Sequence, residues 1–524
     1  MSAASPTALA ERERNRVLRR ADWRYLLPDP APRRALCLAG SALREACGVV
    51  AGEVDDTPQP GVRYDLVVAE DPDAEVLRTI ADVLDSDGAC YLEWSSRAPG
   101  AVPRARRAVE AVGLRVMSSY RPWPSVDHCR VWVSTHGAAA RWWWRNAVRS
   151  TDVRLHRLRA AVGALQSRLG AHGRFAVIVR GGDAASEPRL LALAREQGAW
   201  SHAPRWASLL LLTPGERSVG KVILLPFATE RTPVVAIKTA RIADAARGLE
   251  READLLDVVH AQHGGELPGA PRVLFRARVL ETTVVGESAL TGVPLLARID
   301  ARRYASIAQR VADWLARLAA PGVTGPRRSV WEHVARPALE RFASEFGALV
   351  DPTALARTRE LLTALGDLPV VVEQRDFSPW NVFDGRAGLV ALDWESGVAD
   401  GAPLLDLIYF ITHAAYYLEG AWVSGQFEDA YRAAWSRDTA IGRVNHACVD
   451  RYRARFDIPA DAVPALRLLA WMIHAHSDWV HRRDDAGGPP TTEALRDSRF
   501  LRLFRAELEM ARTDRAEDAP RTKD

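Results

Sequence analysis

Residues 370–383 read Val370-Val371-Val372-Glu373-Gln374-Arg375-Asp376-Phe377-Ser378-Pro379-Trp380-Asn381-Val382-Phe383, and after an Asp384-Gly385 turn the chain continues Leu389-Val390-Ala391-Leu392-Asp393-Trp394-Glu395. An Asp-Gly turn between two short apolar runs is a strong hairpin signal, and the pairing brings Asn381 and Asp393 toward the same end of adjacent strands. With Asp376 five residues before Asn381, three polar groups converge. Phosphoryl transfer uses such a set: a carboxylate that accepts a proton from the attacking hydroxyl, and an amide oxygen plus a second carboxylate that hold magnesium against nucleotide phosphates.

The stretch resembles the aminoglycoside phosphotransferase and choline kinase family, which shares the protein-kinase fold. The resemblance implies Asp376 as catalytic base, Asn381 and Asp393 as magnesium ligands, ATP as phosphoryl donor and a small-molecule hydroxyl as acceptor. Downstream, Pro403-Leu404-Leu405-Asp406-Leu407-Ile408-Tyr409-Phe410 is similar to the family's Pro-x-x-Asp-Leu segment, whose aspartate reads as structural. One position departs: Gln374 stands where the family usually has histidine. Glutamine still supplies hydrogen bonds, with a different donor geometry.

Working upstream, Val234-Val235-Ala236-Ile237-Lys238 resembles the kinase strand whose lysine contacts the α- and β-phosphates. The helix that follows offers Glu250 and Glu252 as ion-pair partners, with Glu252 preferred because Arg251-Glu252-Ala253 resembles the family's helix. Thr213 to Val222 holds Gly-x4-Gly-Lys (Gly215, Gly220, Lys221), but Val222 replaces the serine or threonine of a P-loop and the segment joins two strands. It suits instead a phosphate-covering hairpin, in which glycines let the backbone approach closely and Lys221 reaches a phosphate. Thr283 to Leu295 resembles the hinge where backbone groups meet adenine, which puts Glu287 among the nucleotide-binding positions.

The first 135 residues alternate strand-like runs (Ala35–Leu38, Leu66–Val68, Ala89–Leu92, Val131–Val133) with helix-like segments, the order of a parallel or mixed sheet covered by helices. This part resembles class I S-adenosylmethionine-dependent methyltransferases, in a degenerate form: Leu38 runs into Ala39-Gly40-Ser41-Ala42, with one glycine where a cofactor loop needs several. The expected organisation is a multidomain chain of mixed α/β and α+β class. A Rossmann-like α/β domain (1–135) and a basic helical connector (136–172) precede a bilobal kinase-like part, with an N-lobe (173–286), a helical C-lobe (287–512) and a disordered tail (513–524).

Composition sets outer limits. The chain has 524 residues, 48% hydrophobic and 26% charged, an ordinary globular balance. Of 70 basic residues three are lysines (Lys221, Lys238, Lys523), so 67 are arginines. Where arginine fills nearly every cationic position, the two internal lysines become candidates for places where a planar fork does not fit, the alternative being chance survival in a small sample. No apolar run reaches membrane-span length and the N-terminal stretch is charged, so a cytoplasmic protein is expected. Five cysteines without a CxxC pair suggest buried thiols rather than disulfides or zinc. A basic stretch with Arg141-Trp142-Trp143-Trp144-Arg145 admits a weak membrane-surface contact through Trp142–Trp144 or, alternatively, aromatic packing on a neighbouring domain. Nucleic acid is not an expected partner. The function expected is an ATP- and magnesium-dependent small-molecule kinase; the alternatives are a nucleotide-binding pseudokinase scaffold and a bifunctional methyltransferase-kinase.

Overall fold

The computed structural model describes residues 6–96, 98–146, 173–181, 187–201, 208–213, 220–228, 232–241, 245–279, 281–323, 325, 327–486 and 488–518. Most of the basic connector, Gly215 and the last six residues lie outside them. The chain forms two compact units, one of Leu9–Ala253 with Arg272–Ala289, the other of Asp254–Pro271 and Leu290–Asp524 with Met1–Ala8.

The first unit holds β1 (Arg34–Leu38), β2 (Glu53–Asp55), β3 (Tyr64–Glu70), β4 (Leu84–Ser96), β5 (Arg115–Trp123), β6 (Val131–Ser134), β7 (Gly173–Arg180), β8 (Ser208–Leu212), β9 (Lys221–Phe227), β10 (Val235–Ala240), β11 (Val273–Val279) and β12 (Thr282–Ser288). They make one sheet in the order β11-β12-β10-β9-β8-β6-β5-β7-β4-β3-β1-β2. Its β2-β1-β3-β4 part is parallel. Apolar residues alternate between two core layers there: Ala35, Cys37, Leu66 and Val68 face one side, Leu36, Val67 and Cys90 the other. Strands buried on both faces read as continuous hydrophobic runs, which is how they appear in the sequence.

The expected boundaries at 135 and 173 do not divide this sheet. β7, assigned by its sequence position to the kinase-like N-lobe, lies antiparallel between β4 and β5, and β6 passes the sheet on to β8. Phe175 to Val179 are fully or almost fully buried, so β7 needs a strand on each side, and the edge of the parallel part supplies one. Among the described residues, the parallel strands are therefore part of one larger sheet and not a sheet of their own. Near the carboxyl ends of the parallel strands, Glu93, the register partner of Glu70, is buried and paired with Arg20 at 2.7 Å, and Trp23 stacks on Tyr91 with ring centroids 4.2 Å apart. The chain's own N-terminal segment thus takes up side chains at this edge of the sheet.

The membrane expectation is also corrected. Trp143 and Trp144 are each 8% exposed, within a cluster that includes Val131, Leu210 and Phe227, and Trp142 packs on Phe227 at 5.6 Å. Trp143 and Trp144 are packed inside the unit, and Trp142 is partly buried against it. All five cysteines are free and buried.

The second unit is mainly helical, with small sheets formed by β13 (Gly292–Pro294), β14 (Arg327–Ser329), β15 (Asp367–Pro369), β16 (Val371–Glu373), β17 (Val382–Gly385), β18 (Gly388–Ala391) and β19 (Val398–Gly401). Its last helix, Arg499–Asp518, runs past the expected start of a disordered tail at 513.

Candidate functional site

The 370–395 stretch folds as its turn dictates. β17 and β18 pair antiparallel with Val382 opposite Ala391 and Gly385 opposite Gly388, and the Leu392 N–H donates to Asn381 O at 3.0 Å. Asn381 therefore sits across from Leu392, one residue from Asp393. The Asn381 amide donates from Nδ2 to Asp376 Oδ2 at 2.7 Å and to Asp376 O at 3.1 Å. That spends the nitrogen and leaves the amide oxygen as a ligand group. Phe377, stacked on Trp314 at 5.3 Å, and the fully buried Trp394 anchor the flanking backbone.

Gln374 is the centre of this loop. It is fully buried, its Oε1 accepts the Asp376 N–H at 2.9 Å, and its Nε2 donates to the carbonyls of Leu392 (3.0 Å) and Asp393. One amide side chain thus ties the Asp376 loop to the Asp393 loop, using its acceptor on one and its donors on the other. Asp406 supports the same loop from below: its carboxylate accepts the N–H groups of Gln374 (2.7 Å) and Arg375 (2.8 Å). Arg375 and Asp393 both hold left-handed backbone (φ 65° and 64°), a conformation disfavoured for side chains other than glycine and often found at functional sites. Buried Glu373 accepts from Ala402 N at 2.6 Å, and a Cβ on Gly401 would lie 1.9 Å from Glu373 Oε1, so glycine is required there.

Burial and the nearby Asp393 charge push the Asp376 carboxyl up to about 7, against opposing hydrogen bonds from Asn381 and Tyr409. Sequence reading missed Tyr409. Its signal was available: it follows Asp406 by three residues on the helix Leu405–Leu418, hence on the same helix face.

The Lys238 group lies in the other unit. Lys238 Nζ is buried 2.9 Å from Glu252 Oε1 and 2.6 Å from Glu287 Oε2, and Lys221 Nζ is 3.1 Å from Glu252 Oε2. Burial alone would pull the Lys238 ammonium's pKa down, but the two carboxylates outweigh it and hold it above the usual value. Burial raises the Glu287 carboxyl, with Lys238 opposing. Glu250 turns elsewhere and accepts from Thr283 Oγ1 at 2.7 Å. An ammonium has three N–H donors; two are engaged here and one is left.

Two expected roles change. Lys221 is the first residue of β9 and pairs with Glu252, so its side chain belongs to the ion-pair cluster, while Gly220 O accepts from Arg241 N at 3.4 Å. Glu287 lies inside the sheet, opposite Ala236 on one side and Val273 on the other, with its carboxylate on Lys238. Of the helical-unit histidines, His413 and His474 are buried and held neutral, His413 at about 3 by burial first and Arg499 second. His476 Nδ1 meets Glu345 at 2.7 Å.

Among the described residues no cluster of three or more His, Cys, Asp or Glu side chains forms a self-sufficient metal site. Magnesium does not need one, since it is held by one or two protein oxygens together with phosphates and water. The Asn381 amide oxygen and the Asp393 carboxylate fit that description.

No family model matches the chain, and a search of curated proteins finds no match. Among solved structures it is similar to an aminoglycoside phosphotransferase from Streptomyces rimosus (17% identity, covering 54% of this chain and 96% of that one, TM-score 0.32). It is also similar to a glucosamine kinase (14%, 62% and 83%, TM-score 0.35) and to a spectinomycin phosphotransferase solved with ADP and spectinomycin (10%, 62% and 93%, TM-score 0.33). These are likenesses at low TM-score. No described helix is long and apolar enough to cross a membrane.

Proposed function

We propose that this chain is an ATP- and magnesium-dependent phosphotransferase that moves the γ-phosphoryl group to a hydroxyl of a small molecule. The observation that supports this most is the loop in which Gln374 fixes Asp376 beside Asn381 and ties it to the backbone of Asp393. In this reading Asp376 orients the acceptor hydroxyl and takes its proton while the acceptor oxygen bonds to phosphorus and the bond to the β-phosphate oxygen breaks. Asn381 and Asp393 would hold magnesium, whose charge would offset that of the phosphate oxygens. Lys238, fixed by Glu252 and Glu287, gives its remaining N–H to a phosphate oxygen.

Asp376→Asn is expected to abolish transfer while sparing magnesium-ATP binding, and Asp393→Ala to weaken that binding itself. Purified wild type is assayed with labelled ATP against a panel of hydroxylated metabolites, alongside a magnesium-ATP thermal-shift titration. Stabilisation without turnover on any acceptor would assign a nucleotide-binding scaffold instead, and full turnover by both variants would remove the proposal.

A further inference from the structure

The helix Leu405–Leu418 places Tyr409, His413 and Tyr416 at the spacing i, i+4, i+7, so one of its faces is a stripe of rings. The stripe begins at the Asp376 loop, where Tyr409 hydrogen-bonds the Asp376 carboxyl and Trp380 meets His413 edge to face at 5.2 Å. It ends at Arg499, whose guanidinium lies over Tyr416 (5.7 Å), Trp422 (4.9 Å), Phe427 (5.6 Å) and the adjacent Phe500 (5.4 Å). Phe500 stacks on Tyr409 with centroids 6.4 Å apart, and Trp380 meets Trp422 at 6.3 Å. Two chains of ring contacts, both within the second unit, therefore run from the Asp376 loop to one guanidinium. Burial raises the Tyr409 phenol, with Asp376 adding to the rise and Arg499 opposing it, so both charges act on the same side chain.

Arg499 is held in place, but its donors are unspent. Its Nε is buried without an acceptor. Among the described residues Nη1 and Nη2 also have no acceptor and no carboxylate partner, and unlike Nε they are open to solvent. Rings attract a guanidinium through its charge but offer nothing to its in-plane N–H groups. Glu428, whose charge reaches Tyr416, is bound to Arg502 at 3.2 Å. Arg499 also opens the helix Arg499–Asp518, whose first turn carries no acid and whose preceding Ser498 makes no hydrogen bond through its hydroxyl. The positive end of that helix adds to the arginine's field, and no acid in that turn offsets it. His413 and His474, which pack between Arg499 and the loop, are held neutral.

We propose that Arg499 receives a carboxylate of the acceptor molecule, which makes the substrate a small polyhydroxylated acid. The carboxylate takes the Nη1 and Nη2 donors side by side while a hydroxyl of the same molecule reaches Asp376. One guanidinium matches the planar two-oxygen edge of one carboxylate. A phosphate dianion calls for a second free cation, and the nearby Arg502 is spent on Glu428. That this ligand is the phosphoryl acceptor rests on the phosphotransferase reading; the carboxylate site itself does not.

The probes are D-gluconate, D-glucitol and D-glucamine, which share one six-carbon hydroxylated chain and end in a carboxylate, an alcohol and an ammonium. Calorimetry on the full chain without nucleotide should give saturable gluconate binding, at least about tenfold weaker for glucitol and weaker still for glucamine. Arg499→Gln should bring gluconate down to the glucitol level and leave glucitol unchanged, whereas a merely structural arginine would affect both alike. Arg499→Lys keeps the charge without the fork, should give an intermediate gluconate affinity, and carries the test if Arg499→Gln does not fold. No saturable gluconate binding, equal binding of glucitol, or an unchanged preference in a folded variant overturns the site. Transfer from labelled ATP is then measured on the same three probes. A kcat/KM for gluconate at least about tenfold above that for glucitol, with the gap closing through KM in Arg499→Gln, supports the acceptor role. Gluconate that binds but is not phosphorylated upholds the carboxylate site and overturns the acceptor role. Equal transfer to glucitol overturns this proposal and leaves the phosphotransferase reading standing.

Discussion

Gln374 holds Asp376 by its backbone: the glutamine Oε1 accepts the Asp376 N–H at 2.9 Å, from a side chain with no solvent exposure. Because the same side chain donates to the Leu392 and Asp393 carbonyls, its loss frees two loops at once. Gln374→Ala is expected to cost about 1–3 kcal/mol of stability, the penalty for buried groups left unpaired. Its kcat should fall far more than its magnesium-ATP affinity. Gln374→Glu should be worse than alanine in stability, since a carboxylate would face two carbonyls. Urea unfolding and steady-state kinetics on the three proteins check this; a silent alanine variant would remove Gln374 from the loop's support.

The two internal lysines meet on one carboxylate, each taking one oxygen of Glu252. Lys238→Met strands Glu252 and Glu287 in a buried setting and should destabilise by about 3–5 kcal/mol, the usual cost of breaking a buried pair. Lys221→Met leaves Lys238 on Glu252 and should cost less. Lys238→Arg should not restore the wild type, because a planar fork does not replace a compact ammonium between two carboxylates. Chemical denaturation ranks the three variants, and a magnesium-ATP titration separates lost binding from lost folding.

How much of this was legible follows the range of the interactions. Asp376, Asn381 and Asp393 lie within 18 residues of one another around an Asp-Gly turn, so local turn chemistry places them. The lysine scarcity pointed to Lys221 and Lys238 alike, and the strand-like Val234–Lys238 run singled out Lys238. Glu250 and Glu252, two apart on a helix, face different sides, yet spacing cannot say which side meets the sheet. The position of β7 between β4 and β5 was illegible for another reason: an apolar run announces a strand but not its neighbours, and its pairing with β4 joins segments more than 75 residues apart.

The side chains near Trp380, four residues after Asp376, bear on the acceptor. Trp380 lies 6.3 Å from the half-exposed Trp422, and Arg499 sits over the rings of Trp422 (4.9 Å), Tyr416 (5.7 Å) and Phe427 (5.6 Å). An aromatic box of this kind attracts cations, but here a guanidinium already fills it. Under the phosphotransferase reading, neutral or acidic hydroxylated acceptors should outperform polycationic ones of similar size. Trp422→Ala should raise acceptor KM several-fold with magnesium-ATP affinity unchanged, and Arg499→Ala should narrow the gap between neutral and cationic acceptors. Competition assays with paired acceptors of equal size decide it, and a preference for the cation in the wild type would contradict the assignment.

The tryptophan run gives a prediction of opposite kind. A surface-seeking Trp143 could be replaced at little cost to folding, whereas a packed one leaves a void. Trp143 touches Trp123 edge to face at 5.7 Å and is buried among Val131, Leu210 and Phe227. Trp143→Ala should therefore lower stability by about 3–5 kcal/mol, the range for large aromatic deletions in cores. Binding to anionic phosphatidylserine vesicles should be equally weak before and after the substitution. Vesicle co-sedimentation together with thermal denaturation separates the outcomes: unchanged stability with lost vesicle binding would return these rings to the surface, and the converse fixes them as the packing between β6, β8 and β9.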